Sequence, residues 1–167
     1  MLNDGSESID ILPGYIRKFL KEPPDLLHNF HYEDVLEFLQ LAEEERYSNG
    51  EMIIREGTPV DSAYLIADGK VSLWNENIQL GELTRGSFLG EAFLFKRVNT
   101  MAKVQAERET VALKYDRYEV LDFFRKKPKK LFNIFTKNII EIQQKKISNM
   151  NLQLITLKKK LLSEDKW

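Results

Sequence analysis

The stretch FLGEAFLFKRVNTMAKVQAE, residues 88 to 107, holds residue types whose order could bind an anion. Gly90 opens a short apolar turn, and the missing side chain lets backbone N–H groups approach a charged oxygen closely. Glu91 adds a carboxylate that can accept a hydrogen bond from a ligand hydroxyl, and Ala92 follows it in the loop. A cation would complete such a loop by charge-assisted hydrogen bonding. Lys96, Arg97 and Lys103 are the cations within it, and Thr100 between them can donate a hydrogen bond but supplies no charge.

Elsewhere the chain carries little chemistry. His28 and His31 stand three apart, a spacing that can place two ligands on one helical face. With no cysteine nearby they read as exposed histidines at a helix start, and no metal site is expected. Glu43-Glu44-Glu45 reads as a solvated acidic run. No G-x-S-x-G elbow and no Walker loop occur, so no catalytic constellation is expected and the chain reads as non-enzymatic. The absence of cysteine excludes disulfides, thiolate zinc sites and cysteine nucleophiles together.

Three zones must position the loop. Residues 1–44 form an N-terminal helical segment. Ile11, Tyr15, Ile16, Phe19 and Leu20 fit one face of a short helix, which Pro23-Pro24 stops. Tyr32, Val35, Leu36 and Leu39 follow the spacing of a second amphipathic helix, with Glu33 and Asp34 well placed at its start. Residues 45–116 change character, for six of the eight glycines fall between Gly50 and Gly90. MIIREG, SAYLIADGKVSLWN, IQLGELTRG and TVALKYD read as short strands broken by turns, which indicates an antiparallel sandwich or roll. Asp68-Gly69 between two alternating runs is a hairpin signal, and Trp74 and Phe88 are expected in the core or at its rim.

Residues 117–167 contain no glycine and only Pro128. YEVLDFF predicts a short helix, and Pro128 opens a long one that continues to about Lys160. Along it Ile140, Ile147, Leu154 and Leu161 recur every seven residues, with Met150 and Leu157 three after two of them. From Ile147 to Leu161 this is the a/d seam of a coiled coil, which predicts a homodimer. The alternative is a helix packed only on its own domain.

At 167 residues the chain suits one domain plus an extra element, and can bury roughly 70% of its unfolded surface. The polar start MLNDGSESIDILPG has no signal-peptide pattern, and no run approaches the roughly 20 apolar residues of a membrane span. A soluble cytoplasmic protein with no membrane contact is expected. The net charge of −1 hides an asymmetry. Residues 1–60 carry 13 acids against 5 bases, while 125–160 carry 11 bases and the single acid Glu141. Such a basic helix is either a solvated face or a salt-sensitive nucleic-acid or membrane contact.

In this order of elements the chain resembles the cyclic-nucleotide-binding domain family, in its bacterial catabolite-activator branch. The resemblance runs from about Phe30 to Leu157. It rests on Gly50, Glu56-Gly57, Tyr64, Ile66, Gly69 and Val71 in NGEMIIREGTPVDSAYLIADGKVSLW, and on FLGEAFLF followed by MAKVQA. It implies an α+β fold: a double-stranded, jelly-roll-like antiparallel β-roll with N-terminal helices and a long C-terminal dimerisation helix. It also implies a phosphate- and ribose-binding loop at Gly90, Glu91, Ala92, Thr100, Ala102 and Lys103. The family's arginine falls at Thr100, two residues before the matching Ala102, which leaves Lys103 or Arg97 as substitutes. Phe93 stands where the family has a small residue, as a candidate to occlude the pocket. Hydrogen bonds to a charged group contribute about 1.5–3 kcal/mol, so losing the arginine costs on the order of 10²-fold in affinity. The family's purine-covering turn of the long helix falls near Lys145 and Lys146.

The function expected is a non-enzymatic regulatory or interaction module with a degenerate or altered pocket and an unidentified protein partner. No cofactor is assigned, and a cyclic nucleotide, cAMP, cGMP or another, is the ligand the resemblance implies. Two alternatives stand beside it. One is a genuine cyclic-nucleotide sensor that signals through the long helix. The other is a transcription regulator whose DNA-binding part is missing from this chain, since about ten residues after Leu157 are too few to read DNA.

Overall fold

The computed structural model describes residues 11–95 and 99–164, with the side chain of Phe93 left aside. Arg97 and the Phe93 ring therefore lie outside the described residues. Helix α1 (Gly14–Lys21), a 3-10 turn (Asp25–Leu27) and α2 (Tyr32–Gln40) precede eight strands. These are β1 (Glu43–Tyr47), β2 (Met52–Ile54), β3 (Ser62–Asp68), β4 (Lys70–Asn75), β5 (Ile78–Thr84), β6 (Phe88–Leu89), β7 (Lys103–Ala106) and β8 (Thr110–Asp116). A second 3-10 turn (Glu91–Leu94) follows β6, and α3 (Arg117–Arg125) and α4 (Lys129–Glu164) close the chain. The strands form two antiparallel sheets, in the orders β1-β8-β3-β6 and β2-β7-β4-β5. The α+β roll with its long C-terminal helix is thus as expected.

Alternation along SAYLIAD divides the interior in two. Ala63, Leu65 and Ala67 join the helices in one core, while Tyr64 and Ile66 meet Val71, Leu89 and Val104 between the sheets. Both faces of β3 are covered, so all of Ser62–Ala67 is buried. The first core is aromatic: Phe38 stacks on Tyr115 at 4.8 Å between centroids, and Phe124 and Phe135 lie 4.7 Å apart. Rings of this size dominate core energetics through buried area. At the turn into α3, Asp116 accepts hydrogen bonds from Tyr118 N and Glu119 N and so caps the helix.

Three local expectations are corrected. Asp68-Gly69 is not a hairpin, for β3 and β4 belong to different sheets and the chain crosses between them there. The hairpin lies one strand later, joining β4 to β5 through Glu76 and Asn77. Gly69 is needed because it has φ +104° and a Cβ there would stand 2.6 Å from Thr110 Cα. The acidic run is not simply solvated: it forms edge strand β1, where Glu44 accepts the Tyr15 hydroxyl and Glu45 pairs with Lys114 at 3.1 Å. Ile11 does not join the face of α1 and is 85% exposed.

Since a Gly69 side chain would strike Thr110 Oγ1 and also two backbone atoms, Thr110 Cα and Glu109 O, Gly69→Ala is expected to cost at least ~2 kcal/mol, combining the clash with a left-handed backbone. In a chain this long that is a fall of roughly 4–8 °C in Tm, read by thermal unfolding.

Candidate functional site

The loop between β6 and β7 is anchored at both ends. Leu89 and Leu94 are buried, and Gly90 takes φ +76° so that the chain can turn into the 3-10 segment against β3. A Cβ at Gly90 would lie 2.8 Å from Ser62 O. Its glycine is therefore demanded by packing as well as by any approach of a ligand. Ala92 is exposed, and its carbonyl accepts from Phe95 N at 3.0 Å to close the turn.

Glu91 does not face open space. Gln143 Nε2 and Lys146 Nζ, both from α4, donate to its Oε1, the lysine at 3.1 Å. Lys146 Nζ also donates to Phe88 O at 3.2 Å, so its ammonium lies on β6 just before the loop. The Glu91 side chain is 17% exposed, which makes this pairing stronger than an ion pair in full solvent. The one carboxylate of the loop is thus held by the chain's own long helix.

Thr100 is spoken for as well. Its hydroxyl donates to Arg55 O at 2.6 Å, and its backbone N–H donates to Thr58 O at 2.9 Å. Its carbonyl in turn accepts from Gly57 N at 2.9 Å. Thr100 therefore fastens the Glu56-Gly57 turn to the strand that leads into β7. Ala102 is half-buried beside it. Lys103 pairs across the sheet with Trp74, and its ammonium sits 5.6 Å from the centroid of the indole. That cation–π contact lies on the β4–β7 face opposite to the one where Leu73 and Val104 enter the inter-sheet core. So the structure brings Gly90, Glu91 and Ala92 together, and holds Thr100 and Lys103 in contacts of their own.

Two features were not legible in the residues. Lys145, read as part of a purine-covering turn, forms an ion pair of 2.7 Å with Asp25, which raises its pKa. Asn138, one of few buried polar side chains, donates to Leu26 O at 3.0 Å and His28 O at 2.8 Å. The only hint of it was an asparagine among the apolar residues of a helix's inward face. His28 and His31 are exposed, and no group of three or more metal-binding side chains occurs among the described residues.

The α4 seam stands clear of the domain. Leu131, Phe135 and Ile139 are buried, but from Ile147 to Glu164 every residue is exposed. The exposures are 53% for Ile140, 56% for Ile147, 66% for Met150, 50% for Leu154, 58% for Leu157 and 61% for Leu161. No helix among the described residues is long and apolar enough to cross a membrane.

Residues 44–127 match the family model of the cyclic nucleotide-binding domain. The chain belongs to that family. This domain is also 30% identical over 129 residues to the cGMP-dependent 3′,5′-cGMP phosphodiesterase A of Dictyostelium discoideum. The match covers 75% of this chain but 14% of that protein. Among solved structures, a cyclic nucleotide-binding domain from Methylobacillus flagellatus superposes with a TM-score of 0.74 at 16% identity, covering 83% of this chain and 84% of that one. The catabolite activator protein of Thermus thermophilus gives 0.68 at 24% identity, with 80% and 63% covered. At those identities the two structures are likenesses of fold. The family is a regulatory one, and the domain carries its β-roll.

Proposed function

We propose that this domain is a non-catalytic regulatory module with an altered ligand loop, which dimerises through the seam of α4 and works in the cytoplasm on a protein partner. The observation that carries this reading is Thr100. It occupies the place of the family's phosphate-binding arginine and donates its hydroxyl to Arg55 O instead. A cyclic phosphate at the loop would meet backbone N–H groups and a carboxylate already paired with Lys146. Among the described residues Thr100 and Lys103 are held in contacts of their own, and this supports weak binding of cAMP or cGMP in the family's manner.

A second reading is favoured by the contact between Glu91 and α4. A cyclic nucleotide whose ribose hydroxyl takes Glu91 Oε1 competes with Gln143 and Lys146, and displacing them loosens the long helix. That would be a sensor with its output built into the site.

Thermal unfolding with cAMP, cGMP and cyclic dinucleotides separates the two. A ligand at about 100 times its Kd adds ~2.7 kcal/mol of stability. The altered-loop reading expects no shift with cAMP or cGMP at micromolar concentration. A clear shift that disappears in Glu91→Ala establishes the sensor instead.

A further inference from the structure

A cavity of about 420 Å³ lies beside the loop, between the 3-10 turn after α1, the β5–β6 turn and α4. Its volume falls within the range of small-molecule sites. Arg85, Lys145 and Lys146 line it from two different elements, and Phe19, Phe88 and Ile142 supply apolar wall. Three cations converging on one apolar-walled cavity is a combination that residue spacing could not foretell, since 60 positions separate Arg85 from Lys145.

Each cation has a carboxylate neighbour, but the two carboxylates at the rim are largely in water. Glu22 is 83% exposed and stands 3.6 Å from Arg85, too far for a hydrogen bond. Asp25 is 64% exposed beside Lys145. Exposed pairs of this kind contribute little, so a stronger acceptor can take the cations while the acids turn to solvent. Arg85 is held in place independently of Glu22, its guanidinium lying 5.5 Å from the centroid of the buried Phe19 ring. A planar fork fixed in that way, with donors left over, suits the oxygens of a phosphate.

We propose that this cavity binds a phosphomonoester, with Arg85, Lys145 and Lys146 as partners of the phosphate and its organic part against the half-buried Leu83 and Ile142. The site is separate from the loop at Gly90 to Ala92, and shares only Lys146 with it. A phosphate that takes Lys146 withdraws it from Glu91, so occupancy of the cavity leaves Gln143 alone on the loop's carboxylate and ties α4 to the β5–β6 turn through Arg85.

The test is a calorimetric titration of the full chain with AMP, against adenosine and inorganic phosphate. The expected result is saturable AMP binding, at least tenfold tighter than that of either fragment. The double variant Arg85→Gln with Lys145→Gln, at positions exposed enough to tolerate the change, should weaken AMP at least tenfold with an unaltered circular-dichroism spectrum. Glu91→Ala should bind AMP no more weakly than the unaltered chain, since Lys146 loses a competitor. Absence of AMP binding up to millimolar concentration overturns the proposal, as does equal binding of adenosine or an affinity unchanged in the double variant. A loss in Glu91→Ala would assign AMP to the loop and also overturn it. Failure of cAMP and cGMP to bind bears on the loop alone.

Discussion

Replacing Leu154 and Leu157 together by lysine is expected to convert the chain from a dimer to a monomer without unfolding it. Both side chains are at least half exposed on the described chain and make no contribution to either core. Full burial of a leucine contributes roughly 1.5–3 kcal/mol, and about half of that remains to be gained at each of four positions in the pair of helices. The removed stabilisation is therefore on the order of 3–6 kcal/mol, or about 10²–10⁴-fold in the dimer dissociation constant. Charge repulsion between the new lysines adds to it. Sedimentation velocity reads the change directly. If the unaltered chain sediments as a monomer at every concentration, the seam is not an interface between copies.

Asn138→Leu is expected to be the most damaging single change to stability. The amide closes two backbone carbonyls, those of Leu26 and His28, in a position only 3% exposed. Each carbonyl left without a donor costs about 1–3 kcal/mol, and the added methyl groups bring no new partner. A loss of roughly 2–4 kcal/mol follows, or about 4–16 °C in Tm for a chain this long. The same bonds pin α4 to the segment that walls the phosphate cavity, so AMP binding should fall with stability. A loss below ~0.5 kcal/mol would mean that water replaces the amide and that the anchor is dispensable.

The charge asymmetry shows how far residue counting reaches. An acidic first third and a basic last helix suggested either a solvated face or an outside partner. In the folded chain much of that charge meets inside the molecule. Lys127 lies 2.9 Å from Asp34 and 2.7 Å from Glu37, Lys145 pairs with Asp25, and Lys146 pairs with Glu91. Lys127 is only 18% exposed, and its pKa is raised by Glu37 and then by Asp34. Its raised value gives a contribution to stability that is complete below the ordinary lysine range and is lost as pH climbs through the folded pKa. Lys158 to Lys160 lie near the far end of α4 and are exposed.

By itself the sequence determined the element order, the β-roll and the loop with its one carboxylate. These rest on local periodicity and turn chemistry: alternation in SAYLIAD buries both faces of β3, and a heptad in α4 leaves one apolar face to be covered. Tertiary structure alone decided what those faces and side chains meet. Asp68-Gly69 carries the residues of a hairpin, yet the chain changes sheets there because β8 rather than β4 lies beside β3. Thr100 looked like an empty place for a cation, and its hydroxyl is occupied by a carbonyl 45 residues away. Glu91 looked ready for a ligand, and α4 delivers an amide and an ammonium to it across more than 50 positions. Periodicity specifies which side of an element is buried. Which polar groups meet depends on the rotation and crossing of whole elements, and those follow from packing of the core.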